Sequence, residues 1–273
     1  MTDRRPLGIL AGAGALPVLA ARLVARAGRP VFGVQLAEAG QRGLAAHCAA
    51  VITPNLGQVG RILDFWREAG VREVLFIGKV DKTLHFEALE FDEVGKEMLS
   101  HLVNRQDGSL FGLIADEMEA RGFTVAPQTE VLAALLARPG HLAGPPPTPS
   151  MLRDIQVGQE IAAVVSGYEV GQTVAVKLGA VVAIEAFEHT DAALRRAGKL
   201  AGRGWVAVKA ARPKQDPRFD VPTVGLRTLS VLHRAGGCCL AVEAGQVFVV
   251  DEKRVLRFAE ANGITLFGAS RSH

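Results

Sequence analysis

The chain has 273 residues, 49% hydrophobic and 22% charged, enough apolar sequence to bury one large core or two ordinary ones, which argues against disorder as its main state. Its formal charge is only +3, its cations are dispersed and aromatics make up 5%, so a stacking platform for single strands is disfavoured and no nucleic-acid partner is expected. Three cysteines, two of them the neighbours Cys238 and Cys239, neither close a disulfide framework nor give ordinary zinc spacing, and they fit a reducing compartment, the cytoplasm.

Residues 1–21, MTDRRPLGILAGAGALPVLAA, imitate a secretory signal, with two arginines ahead of an uncharged run. The run holds Gly12, Gly14 and Pro17 and flows into LPVLAARLVARAG, whose Arg22 and Arg26 share one helix face. It therefore reads as strand, glycine turn and helix. No uncharged stretch reaches the length of a membrane span. Further strands are expected over 30–36, 49–53, 73–80 and 123–127. The helical patterns over 16–28, 58–70 and 109–122 each end at a glycine, Gly28, Gly70 and Gly122. Alternation of this kind predicts a Rossmann-like, doubly wound parallel sheet over residues 1–138.

PGHLAGPPPTPS, residues 139–150, has neither helical nor strand period and reads as a stiff linker. Residues 151–273 then predict a second, mixed α/β domain. Its expected elements are a helix to Gly167, two strands turning near Leu178 and Gly179, a helix from Asp191 and a strand over 205–210. A helix after Pro222, strands over 238–243 and 247–251, a helix over 252–263 and a last strand over 265–268 complete it.

Four places carry candidate chemistry. Gly12-Ala13-Gly14-Ala15-Leu16-Pro17 follows the first strand, where glycines let backbone amides approach a phosphate. Pro17 stands in place of the third glycine of a dinucleotide fingerprint and Gln35 in place of its acid, so a tight turn without ligand is the competing reading. Lys79 ends the fourth strand at the edge where ligands lie, although a solvated lysine is the ordinary outcome there. In EHTDAALRR, residues 188–196, Thr190 is a natural N-cap and Asp191 a first-turn acid. Arg195 lies four residues on, so a surface ion pair on a capped helix competes with a site. ARPKQDPRFDVPTVG, residues 211–225, packs Arg212, Lys214, Asp216, Arg218 and Asp220 among three prolines. Asp220 is expected beside the N-terminus of the helix after Pro222. The histidines show no metal spacing.

These blocks resemble one family, the UDP-2,3-diacylglucosamine pyrophosphatases of the LpxI type in lipid A biosynthesis. The matching pieces are GILAGAGALP, GKV after the fourth strand, QDGSL at 106–110, APQTEVL at 126–132, VGQTVAV at 170–176, AIEAFEHTDAALRR at 183–196, KQDPRFDVPTVG at 214–225 and AVEAGQVFVVD at 241–251. The resemblance implies a Rossmann-like N-terminal domain and a catalytic C-terminal α/β domain with substrate between them. It implies cleavage of the substrate pyrophosphate by water, at the phosphorus on the sugar side, to UMP and 2,3-diacylglucosamine 1-phosphate (lipid X). It also implies Mg²⁺ or another divalent cation, and an essential aspartate that falls on Asp220. The family often has Gly-Asp-Asp where Gln106-Asp107-Gly108 stand, so that segment is assigned no essential role.

In charge terms, Lys214, Arg218 and Arg195 could offset charge on the phosphoryl oxygens, while Asp220 binds the metal or acts as base. Asp191 and Asp216 are candidate second ligands. The catalytic set is thus Asp220, Asp191 and Lys214, the metal set Asp220 and Asp216, and the substrate set Gly12, Gly14, Lys79, Thr190, Arg195 and Arg218. The expected partner is the glycolipid nucleotide, with peripheral contact with the inner membrane and a homodimer as further options. An NAD(P)-dependent oxidoreductase and a non-catalytic glycolipid or nucleotide carrier are the alternatives.

Overall fold

LGILA is apolar almost throughout, the pattern of a strand covered on both faces, and Leu7–Ala11 forms β1 at the centre of a five-stranded sheet. The computed structural model describes residues 4–36, 42–79, 90–103, 110–213 and 215–270. By its internal contacts the chain divides into two units, Met1–Leu132 with Pro217–Phe219, and Ala133–Asp216 with Asp220–His273.

In the N-terminal unit β1 is followed by α1 (Leu16–Arg26), β2 (Val31–Gln35), β3 (Ala50–Ile52), α2 (Val59–Glu68), β4 (Glu73–Ile77), α3 (Glu93–Val103), α4 (Leu110–Ala120), β5 (Thr124–Val125) and α5 (Gln128–Val131). The strand order is β3-β2-β1-β4-β5 and every pairing is parallel. Strand order reverses between β1 and β4, the place where such sheets take ligands. Pro17 sits in the first turn of α1, which tolerates its missing N–H. The sequence pattern did not announce α3. It starts where Asp92 accepts a hydrogen bond from the Gly95 N–H at 2.7 Å, a capping contact. Trp66, Phe76, Phe123 and Phe219 fill the core on one side of this sheet.

The C-terminal unit runs β6 (Gly140–Ala143), α6 (Pro149–Gly167), β7 (Thr173–Lys177), β8 (Ala180–Ile184), α7 (His189–Ala201), β9 (Trp205–Lys209), β10 (Thr223–Val224), α8 (Leu226–Arg234), β11 (Gly237–Glu243), β12 (Phe248–Val249), α9 (Glu252–Ala261) and β13 (Thr265–Ala269). Six strands form a mixed sheet in the order β6-β13-β11-β9-β7-β8. The pairs β13/β11 and β11/β9 are parallel, and β6, β7 and β8 run antiparallel to their neighbours. β10 and β12 make a separate parallel pair.

The structure differs from the expected linker over 139–150. Gly140–Ala143 keeps its backbone donors and pairs with β13 as an edge strand. The three prolines that follow cannot continue that ladder, and α6 then opens at Pro149 with Thr148 as its cap. α6 lies close on the sheet because residue 158 is glycine: a Cβ there would stand 2.4 Å from Val208 Cγ2. The turn between β7 and β8 uses Leu178 and Gly179, both at positive φ. Buried Asp154 accepts their amides at 3.0 and 2.7 Å. Among the described residues no helix is long and apolar enough to cross a membrane.

Candidate functional site

Parallel strands gather ligands at their C-terminal ends, and two buried charges stand there in the C-terminal unit. Lys209 closes β9 and Glu243 closes β11, 6% and 3% exposed. β7 runs the other way, so its first residue, Thr173, pairs with Lys209 at the same edge. β8 leaves the sheet there too and is followed by Glu185, which is also buried.

Four side chains close into one network. Lys209 Nζ donates to Thr190 Oγ1 at 2.9 Å and to Thr173 Oγ1 at 3.3 Å, and lies 3.7 Å from Glu185 Oε2. Thr190 in turn donates to Glu185 Oε1 at 2.7 Å. Glu243 accepts the Ala211 N–H at 2.8 Å, fixing the start of the loop that leaves β9. Gly171 passes so near the Glu185 carbonyl that a Cβ would stand 2.0 Å from its oxygen, so glycine is required there.

Thr190 therefore has a different role from the expected N-cap. α7 begins at His189, and the Thr190 hydroxyl turns inward to the network. Asp191 is a first-turn acid as expected, but its partner is Arg227 Nε at 2.6 Å and not Arg195. Arg195 is exposed and makes no side-chain hydrogen bond or ion pair among the described residues. Arg196 instead pairs with Glu188 and donates to the Ile184 carbonyl at 2.7 Å.

In the proline-rich loop, Asp220 is exposed, and among the described residues its carboxylate has no hydrogen-bond or ion-pair partner. It does not adjoin a helix. Thr223–Val224 pairs as β10, and α8 starts only at Leu226 with Gly225 as cap. Asp220 has φ 51°, a left-handed conformation that costs a residue with a Cβ roughly 1–2 kcal/mol. His189, at φ 65°, shares that feature beside Thr190. Backbone strain of this kind collects at functional sites.

The neighbours of Asp220 on its N-terminal side belong to the other unit. Phe219 packs on Phe76 with ring centres 5.9 Å apart, and the Gln128 N–H donates to the Pro217 carbonyl at 2.7 Å. Arg218 pairs with Glu119 at 3.1 Å and lies over the Phe219 ring. Asp216 is half-buried. Lys214 lies outside the described residues, as does the segment 104–109.

At the switch point of the N-terminal sheet, Ala13 and Lys79 exchange backbone hydrogen bonds of 2.7 and 2.9 Å. Gly12 is buried against that bridge, and a Cβ on it would stand 2.5 Å from the Lys79 carbonyl oxygen. The glycine is thus accounted for by packing, and two amides of the expected phosphate cradle are committed, the Gly12 N–H to the Ile77 carbonyl at 2.9 Å and the Ala13 N–H to the Lys79 carbonyl. Gly14 is exposed at φ 102°, and the Lys79 side chain is exposed. Among the described residues no three His, Cys, Asp or Glu side chains stand close enough to hold a metal together.

Fold and site define a two-unit α/β protein whose mixed-sheet unit carries buried charged groups at a strand edge. The family described as LpxI N-terminal domain matches residues 6–135, and that described as LpxI C-terminal domain matches residues 138–267. The chain belongs to the LpxI family. A relative from Caulobacter vibrioides, named UDP-2,3-diacylglucosamine pyrophosphatase LpxI, is 33% identical over 275 residues, covering 97% of each chain. Among solved structures, the biotin carboxylase domain of Hydrogenobacter thermophilus 2-oxoglutarate carboxylase is 12% identical, covering 66% of this chain and 36% of its own, with a TM-score of 0.28. Campylobacter jejuni biotin carboxylase is 15% identical, covering 71% of this chain and 42% of its own, with a TM-score of 0.24. Overlaps this low carry no argument.

Proposed function

We propose that the chain hydrolyses the pyrophosphate bond of UDP-2,3-diacylglucosamine, releasing UMP and lipid X in lipid A biosynthesis. The observation that carries this reading is the match of both units, in order and over nearly the whole chain, to a family whose named member is that pyrophosphatase. The enzyme is a hydrolase of a phosphorus anhydride. Its diacylated substrate makes peripheral contact with the inner membrane part of the proposal.

Asp220 is the proposed essential carboxylate, because it is exposed, lacks a partner among the described residues and is held in a strained backbone. Its oxygens are the hard donors Mg²⁺ takes. Mg²⁺ binds few carboxylates and keeps several waters, so Asp220 with Asp216 fits it without a ready-made cluster. When bound, the ion would offset charge on the phosphoryl oxygens and make bound water a better nucleophile.

The protein's own groups do the positioning. Lys209 is engaged with Glu185 and two threonine hydroxyls, and so acts by fixing the first turn of α7. Asp191 pairs with Arg227 at that turn. The exposed guanidinium of Arg195 is available to a phosphate, whereas Arg218 steadies the loop through Glu119.

The test is turnover of UDP-2,3-diacylglucosamine by purified protein, with and without Mg²⁺. Release of UMP and lipid X is the expected result. Glycolipid bound but never consumed under any divalent ion would replace the hydrolase with a carrier. In labelled water the new oxygen is expected in lipid X, and its appearance in UMP would move the attack to the other phosphorus.

A further inference from the structure

Arg22 and Arg26 stand one turn apart on α1, and Arg29 follows three residues later. Like charges at this spacing repel. A basic last turn complements the helix dipole, which accounts for Arg26. It does not account for Arg22, whose Nε is buried without a hydrogen-bond partner, a costly state for a charged donor.

Together with His47 these arginines line an open cavity of about 660 Å³, and among the described residues its lining contains no carboxylate. Arg29 is matched by Glu73 and donates to the Arg5 carbonyl at 2.7 Å. Among the described residues, Arg22, Arg26 and His47 make no side-chain hydrogen bond or ion pair. Among the described residues, the cavity thus holds at least two positive charges without a counter-charge.

Val31 and Ala49, at the starts of β2 and β3, also line it. It therefore opens at the N-terminal edge of the parallel sheet. Gly12 and Lys79 follow the C-terminal ends of β1 and β4, a strand length of roughly 15 Å away.

We propose that this cavity is a second anion site, taking a phosphate-bearing group through the guanidinium groups of Arg22 and Arg26. A guanidinium presents planar paired donors that match phosphate oxygens, and binding would offset the charge of Arg22 and Arg26 and relieve the repulsion between them. A soluble di- or triphosphate and a phospholipid headgroup offer the same oxygens. The proposal stands apart from the reaction assigned above, because none of its residues belongs to that site.

The full-length protein is titrated with inorganic pyrophosphate at low salt, and floated separately with phosphatidylglycerol or phosphatidylcholine vesicles. Arg26→Glu and the double variant Arg22→Gln/Arg26→Gln are run alongside. Binding of at least one probe is expected, weakened at least tenfold in both variants, with a cooperative melt retained and lowered by no more than a few degrees. Pyrophosphate binding lost in the variants assigns a soluble ligand. Capture by phosphatidylglycerol alone, lost in the same way, assigns a headgroup. Arg26 is exposed, so its variant folds and decides the matter even if the double variant does not. Equal binding by parent and Arg26→Glu, or no binding of either probe, overturns the proposal.

Discussion

Lys209 Nζ lies 3.7 Å from Glu185 Oε2, with both side chains buried and the Thr190 hydroxyl bonded to each. The pair joins the end of β9 to the segment between β8 and α7. It ties the first turn of α7, with Asp191, to the sheet edge.

Removing one member of a buried ion pair leaves the other charge uncompensated, at a cost of roughly 3–5 kcal/mol. Lys209→Met and Glu185→Gln are therefore each expected to lower stability in urea by about that amount. The double variant should lose less than the sum. Additive losses would mean that the two charges do not offset one another. Thr190→Val keeps the volume but removes the hydroxyl that bonds both charges, and is expected to cost about 1–3 kcal/mol.

Gly12→Ala tests whether the first glycine turn serves packing or phosphate. Its Cβ would meet a backbone oxygen at 2.5 Å, which cannot swing aside as a side chain can. A loss of about 1–3 kcal/mol is expected, visible as a lower melting temperature. An unchanged melting temperature with a raised KM would return this glycine to the substrate.

Apolar runs such as LGILA, helical periods stopped at Gly28, Gly70 and Gly122, and the Leu178-Gly179 turn made the α/β architecture legible, because each is a local signal. Local reasoning singled out Thr190, Asp191 and the Asp220 loop as candidates, and the first two stand in the first turn of α7, where Thr190 joins the Lys209–Glu185 network. It missed Lys209, Glu185, Thr173 and Glu243, since each reads as an ordinary polar residue flanking or ending an apolar strand. Their meaning comes from pairing of β7, β8, β9 and β11 across tens of residues. The same limit assigned Asp191 to Arg195, four residues away, whereas its partner Arg227 lies 36 residues away. The prolines of 139–150 hid β6, because its non-proline residues carry no strand period.

Acid stability should depend on Glu117. Desolvation works to raise its pKa, but hydrogen bonds and charge from Arg121 and His101 outweigh it and hold the carboxyl below its ordinary value. A depressed folded pKa adds stability above the unfolded carboxyl pKa, about 4.3, and that stability is lost as pH falls through the folded value. Glu117→Gln is expected to destabilise at pH 7 and to narrow the gap between urea midpoints at pH 7 and pH 4. Parallel pH profiles for parent and variant would remove the pairing from acid unfolding.

Asp220 separates backbone strain from chemistry more sharply than any other position. Its left-handed φ suits glycine and is tolerated by asparagine. Asp220→Gly and Asp220→Asn should therefore fold at least as stably as the parent. Asp220→Ala keeps a Cβ in the strained region without the polar group and should be the least stable of the three. All three are expected to lose turnover by about 10³-fold, the scale of a missing acid–base or ligand group. Asp220→Asn retains an amide oxygen, a weaker metal donor and no base. If Asp220 is a ligand, raising Mg²⁺ recovers part of the Asn turnover and none of the Gly. If it is a base, added Mg²⁺ recovers neither. Turnover near the parent level in Asp220→Asn would take the reaction away from this carboxylate altogether.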